Sequence, residues 1–302
     1  MSRTYRTIGI NLKGVAMGEN DRLLTILTRE HGLIRAVAAG ARKHRSNMTG
    51  RSGLFVVNDL LISPGRSLDR IKHAETLQSF IGLGHNLAKL TAAQYLAELT
   101  LIQALSAQPQ EELFELLTEH LIRLQNAENH RVLACLVHGV YHLLAIAGFA
   151  PQVHACCFTQ EALIPPADLK WRVGFSFSGG GIVSLSGSSE VQGFSAKPLP
   201  VRSQRPETNL TETMVAELQA TEYQTINRIK FTDSFSTKID RYLNATELIA
   251  MQSLVQPELS QTVSDVHSTA WLTVERLLRA YAQYHFDKPI QSAALIDNCF
   301  NL

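Results

Sequence analysis

The chain has 302 residues, 45% of them apolar, which excludes fibrous and disordered classes and leaves room for two domains. Its formal charge of +1 hides a division: residues 1–80 carry 13 Lys and Arg against 6 Asp and Glu, a net +7, and residues 81–302 carry 15 against 21, a net −6. A basic first segment points to a polyanionic partner, and the acidic remainder limits a second nonspecific surface for it.

The opening Met1 to Arg6 enters an alternating polar and apolar pattern at once, without an apolar signal core. The apolar stretch Leu133 to Phe149 is interrupted by His138 and His142 and falls short of the roughly 20 residues of a membrane span. A cytoplasmic location with no membrane partner is therefore expected. Cys135, Cys156, Cys157 and Cys299 are scattered in a chain too long to need staples, so free thiols are expected.

Five short β-type runs come first: Tyr5 to Leu12, Leu23 to Thr28, Leu33 to Ala38, Leu54 to Ser63 and Leu68 to Thr76. Between them stand turn residues at Gly14, Gly18 to Asp21, His31-Gly32 and Pro64-Gly65. No helical crossover separates the runs, which favours antiparallel pairing. Five strands in so short a segment fit a small barrel of the oligonucleotide-binding (OB) type, and an SH3-like barrel reads almost the same.

From Asn86 the period becomes helical: Leu87, Leu90, Leu96, Leu99, Ile102 and Leu105 share spacing, and Pro109 closes the run. A second helix carries Leu113, Leu116, Leu117, Leu121 and Leu124 on one face. A third, Val132 to Ala147, is apolar nearly all round and should be buried. Pro151, Cys156-Cys157 and Pro165-Pro166 then introduce a turn-rich insert with a hairpin, Trp171 to Phe177 and Ile182 to Leu185 about Gly179-Gly180-Gly181. Residues 186–209 read as a connection. Helices are expected again at Thr211 to Thr221, Asn244 to Leu254 and Asp265 to Phe286. The fold class is α+β, with a barrel at 1–80, a helical domain at 81–302 and a hairpin insert at 151–187.

The most informative stretch is Gly40 to Ser46, a loop holding Arg42, Lys43 and Arg45, with Arg35 and Arg51 nearby. Arg66, Arg70 and Lys72 extend it along the last strand pair. Phosphates are held by such cations, and each neutralised phosphate releases counterions, which gives salt-sensitive, sequence-independent binding. The competing reading is a merely solvated loop, and the +7 segment around it favours the interface. Only Tyr5 and Phe55 offer aromatic rings in the strands, and such residues more often sit in a core.

Catalytic signals are poor. The triple glycine lacks a nucleotide-cradle register, no Walker lysine follows it, and no nucleophile elbow is present. His138 and His142, four apart, lack the Glu of a metalloprotease helix and read as core or boundary residues. Adjacent Cys156 and Cys157 with His154 do not make a zinc knuckle, so no metal, cofactor or catalytic residue is expected.

These pieces, in order, resemble the RecO family over nearly the whole chain. The resemblance rests on Gly14-Val15, Glu19 to Asp21, Leu27 to Leu33, Gly40 to Ser46, Gly148 to Pro151, Ser178 to Gly181, and Arg276 to Tyr281 with His285 and Lys288. It implies an OB-fold domain followed by a helical domain, binding of single- and double-stranded DNA, and annealing of complementary strands. It also implies RecR and the acidic C-terminal tail of single-stranded-DNA-binding protein as partners, with RecA loading as the outcome. Some members hold zinc on four insert cysteines. Here Cys156 matches the first ligand, and Thr159, Ser184 and Gly187 fall near the others, which implies a metal-free ribbon held by Trp171, Phe175 and Phe177. The alternative function is a protein-interaction scaffold whose basic barrel takes an acidic peptide; an enzyme comes third.

Overall fold

The computed structural model describes residues 4–168, 170–185, 238–260 and 268–300. Five strands form a closed barrel: β1 (Tyr5–Met17), β2 (Asp21–Thr28), β3 (Gly32–Ala38), β4 (Val56–Ser63) and β5 (Asp69–Ser79), in the order β1-β2-β3-β5-β4. All neighbours are antiparallel except β3 and β5, which run parallel with Ala36 opposite Asp69 and Val37 opposite Arg70. That pair is the exception to the antiparallel pairing that the sequence favours. It closes the barrel between strands distant in sequence, in the Greek-key order of the OB fold. The Greek-key crossing also carries a short helix, α1 (Met48–Arg51), between β3 and β4.

Alternation explains the interior: Leu24, Ile26, Ile34, Ala36, Leu60, Ile62 and Ile71 face inward and form the barrel core. β1 runs five residues past its expected end at Leu12. Its register shifts between Asn11 and Lys13, a bulge that restarts the alternation with Lys13 outward.

Four α-helices make the main layer of the second part: α2 (Leu87–Gln103), α3 (Glu111–Asn126), α4 (Val132–Ile146) and, after the insert, α6 (Ser268–Phe286). The helix expected at Thr211 to Thr221 lies outside the described residues. Helix α4 is buried almost all round, with Leu136, Val137 and Leu144 fully enclosed. Helix α5 (Ala245–Ser253) starts on a capping box: Asn244 accepts from the Glu247 N–H at 2.9 Å, and Glu247 Oε2 accepts from the Asn244 N–H at 2.8 Å. A short α7 (Ala293–Phe300) closes the described chain and packs on α2.

The insert forms a three-stranded sheet in which β6 (Arg172–Ser176) pairs with β7 (Gly181–Val183) and with β8 (Arg241–Asn244). The third strand comes from beyond the expected hairpin. Phe175 and Phe177 meet Tyr281 of α6 at ring-centroid distances of 5.4 and 5.9 Å, so aromatic packing docks the sheet on the helices. Trp171 packs against the same core. Burial alone would raise the Cys156 thiol, but hydrogen bonds from Thr159 and from the Ser184 and Phe158 N–H groups outweigh it and hold the thiol low. Gly187 lies outside the described residues.

The barrel docks on the helical layer at one edge. Leu33 N donates to Leu105 O at 2.9 Å, Ala107 N to His31 O at 3.1 Å and Gln110 N to Arg29 O at 2.8 Å. Gly32 has φ +63°, and a Cβ there would stand 2.2 Å from the Leu105 carbonyl oxygen. Only glycine fits both constraints.

Candidate nucleic-acid interface

Cross-strand register decides which cations share a face. Lys13, Thr25 and Arg35 are successive partners across β1, β2 and β3, and since their neighbours Leu24 and Ile34 face inward, this row faces out. Lys13 and Arg35 are exposed. The next outward row reads Val15, Leu23, Val37 and then Arg70 of β5. Val15 is 51% exposed. The result is a short apolar strip with Lys13 and Arg35 along one side and Arg70 at its end.

The loop after β3 borders the same surface. Arg42 N donates to Asn20 O at 2.9 Å and Arg42 Nη1 to Gly18 O at 2.9 Å, while Gly40 N donates to Asp21 Oδ1 at 2.8 Å. These bonds join the β1–β2 turn to the basic loop at one end of the barrel, and they commit part of the Arg42 fork to structure. Arg45 has φ +59°, a left-handed position in a tight turn that leaves its side chain exposed. Because β5 runs parallel to β3, Lys72 stands abreast of the start of this loop, at the residue skipped where the β4–β5 register shifts. Arg66 is exposed in the turn between β4 and β5.

Arg51 is placed differently. It ends α1, is half-buried, and its carbonyl accepts from Asn11 Nδ2 at 2.8 Å and Asn58 Nδ2 at 3.0 Å. Its helix rests on the barrel core through the half-buried Met48, and the Arg51 backbone there supplies an acceptor to two barrel asparagines. Of the eight expected cations, the fold thus gathers Arg35, Arg70, Lys72, Arg42, Lys43 and Arg45 about the β3–β5 side, sets Arg66 at the adjoining turn, and keeps Arg51 apart.

Lys13 joins them and was missed, because β1 was expected to end before it. The available signal was Val15-Ala16-Met17, an apolar run that carries the strand past Gly14 to the turn at Gly18. The two strand aromatics supply no stacking platform: Phe55 is 2% exposed, and Tyr5 packs on His31 at 4.3 Å and donates to Asp69 Oδ2 at 3.2 Å. Burial first, then the Asp69 charge and hydrogen bond, push the Tyr5 hydroxyl up to about 12. The exposed apolar groups on this face are aliphatic.

Among the described residues, none of these cations lies within ion-pair distance of a carboxylate, whereas Arg6 pairs with Asp59 at 2.7 Å and Arg29 with Glu115 at 2.7 Å. Unpaired cations on an outer strand face and its flanking loops match the surface through which OB barrels take oligonucleotides.

Comparison with known proteins agrees with this architecture. The family model described as Recombination protein O N terminal matches residues 1–80, and Recombination protein O C terminal matches residues 84–199. The chain belongs to the RecO family. It is 49% identical over 304 residues to the DNA repair protein RecO of a Nostoc strain, covering 99% of this chain and 97% of that one. The DNA repair protein RecO of Acaryochloris marina is 48% identical over 308 residues, covering 99% and 96%, and that of Thermosynechococcus vestitus is 39% identical over 310 residues, covering 100% and 98%. As in the family models, the barrel and the helical layer fall in consecutive stretches. Among the described residues no helix is long and apolar enough to cross a membrane.

Proposed function

We propose that this chain is a non-enzymatic DNA-binding mediator of repair and recombination, which grips the phosphate backbone with the outer β3–β5 face of its barrel. Membership in the RecO family supports a role in DNA repair and recombination. The reading rests on one observation above others: exposed cations line one barrel face and its loops with no carboxylate partner among the described residues.

A nucleic-acid strand laid along this face meets Lys13, Arg35, Arg70 and Lys72 on the strands and Arg42, Lys43 and Arg45 at the end, with Arg66 at the adjoining turn. The exposed Val15 and half-buried Leu23 beside these cations give sugars and base edges apolar contact without sequence preference. Neutralising phosphates on two strands lowers their repulsion and lets complementary bases meet, so binding free energy alone drives annealing of single strands and retention of duplex. The same reading divides the chain into a DNA-gripping barrel at 1–80 and a helical part at 81–302, with its insert at 151–187. In this reading the helical part receives RecR and the acidic tail of single-stranded-DNA-binding protein, and RecA loading follows. The chain works in the cytoplasm.

Oligonucleotide length tests the proposal against the acidic-peptide scaffold. Affinity for single-stranded DNA should rise with length until the face is spanned and then level off. Affinity independent of length, together with full displacement of DNA by an acidic peptide, would instead assign the basic face to a protein partner.

A further inference from the structure

Away from the barrel, three imidazoles meet between α3, α4 and the turn after α5. His120 comes from α3, and His138 and His142 come from successive turns of α4. One ring nitrogen of each lies within 4.8 Å of the others. His120 Nε2 stands 3.2 Å from His142 Nδ1, close to the roughly 3.3 Å between two nitrogens bound to one tetrahedral ion at ~2.0 Å.

The outer nitrogens fix the tautomers. Backbone carbonyls only accept, so His138 Nε2 donates to Gln256 O at 2.8 Å and His142 Nε2 donates to Leu254 O at 3.0 Å. Each ring therefore turns an unprotonated Nδ1 toward the cluster, the arrangement in which metal-binding histidines are held by their second N–H. His120 and His138 are each 1% exposed, and the buried His120 Nδ1 has no partner, so that ring's polar contact is at its Nε2. Burial first, then the neighbouring positive charges, depress His120 to about 2; burial likewise brings His138 to about 4 and lowers His142. His120 Nε2 therefore donates to the unprotonated His142 Nδ1, and an ion bound there takes the place of that proton as it shifts to His120 Nδ1.

Access is available from one side. His142 is half-exposed on an open cleft of about 730 Å³, with Glu112, Glu115 and Glu119 on its rim. Arg123 touches the cluster: its Nη1 lies 3.1 Å from His138 Nδ1, while its Nη2 is already held by Glu119. Retreat of Arg123 onto Glu119 frees the third nitrogen.

We propose that His120, His138 and His142 form a site for a divalent transition-metal ion of the zinc class, with the fourth position open to the cleft. Three imidazoles suit zinc, cobalt or nickel and disfavour magnesium or calcium, which take oxygen ligands. The ion fastens α3 to α4 and, through Leu254 and Gln256, to the segment following α5. The site shares no residue with the cysteine-bearing insert.

The test is metal titration of the full chain after removal of metals with a chelator. Zinc should bind at one equivalent and raise the Tm, and cobalt should give the visible absorption of a tetrahedral nitrogen site. His138→Gln and His142→Gln should each weaken zinc binding by at least about tenfold and shrink the rise in Tm accordingly, while the Cys156→Ser/Cys157→Ser variant binds as before. X-ray absorption of the zinc-loaded wild-type chain should show nitrogen and oxygen neighbours without sulfur, a readout that needs no variant to fold. Absence of zinc binding, sulfur in the coordination shell, or binding that survives replacement of all three histidines would overturn the proposal.

Discussion

The barrel face and the helical layer use the same side chains to opposite ends. On the barrel, Arg35, Arg70 and Lys72 stand exposed without carboxylate partners among the described residues. In the helical layer, Arg279 lies between Glu275, which is buried, and Asp297 at 2.7 Å, and Arg123 is held by Glu119. Arginine locked between carboxylates is spent on holding α6 to α7. Arginine left open on a strand face keeps its charge for a partner. The net charge of +1 conceals this division because charges act through local fields.

If that contrast is right, breaking the locked cations should damage stability, and removing the open ones should damage binding. The largest stability effect is expected from Glu275→Ala. Burial pushes the Glu275 carboxyl up against the opposing hydrogen bond and charge of Arg279, and its removal leaves a largely buried guanidinium with Asp297 as its one remaining carboxylate partner among the described residues. A loss of about 3 kcal/mol is expected in urea unfolding, with DNA affinity of the folded fraction unchanged.

Gly32→Ala comes next, at the join of the two regions. A Cβ there meets the Leu105 and Gln108 carbonyl oxygens at 2.2 and 2.5 Å in a left-handed backbone position. A cost of about 2 kcal/mol is expected, with earlier proteolysis at the join between barrel and helices.

A smaller effect is expected from acid. The hydrogen bond from Arg279, stronger than the opposing burial, holds the Asp297 carboxyl below its ordinary value near 3.8. Its folded-state value is depressed, so the pair's contribution is complete above that ordinary value and is lost as pH falls through the lower folded one. Asp297→Asn should make the stability curve flatter below pH 3.8 and leave it parallel to wild type above. The smallest stability effect belongs to the open loop: Arg42→Ala/Lys43→Ala/Arg45→Ala should stay within about 0.5 kcal/mol of wild type apart from the Arg42 bond to Gly18.

Much of this was legible in the sequence, and what was hidden shares one cause. Strand alternation and the leucine spacing of α2, α3 and α4 are local signals, and they placed the five strands and these helices within a few residues. The parallel β3–β5 pair is not local, so nothing in the residue pattern announced it. Lys13 was hidden by a bulge that a period of two does not anticipate. β8, four residues long, and α7, eight residues long, are too short to show a period. The basic loop was visible as a charge run, but its company on the β3–β5 face became apparent only through cross-strand register. His138 and His142 read as boundary residues because their partner, His120, arrives from another helix.

DNA binding by this chain is proposed to come from the open cations of one barrel face acting on phosphate. Its most direct test is the salt dependence of single-stranded DNA binding by the wild-type chain and by a variant with Arg35, Arg70 and Lys72 replaced by alanine. The account predicts a variant that folds normally, binds more weakly at low salt, and loses about 0.7 from the slope of log affinity against log salt for each phosphate contact removed. An unchanged slope in a folded variant would contradict it.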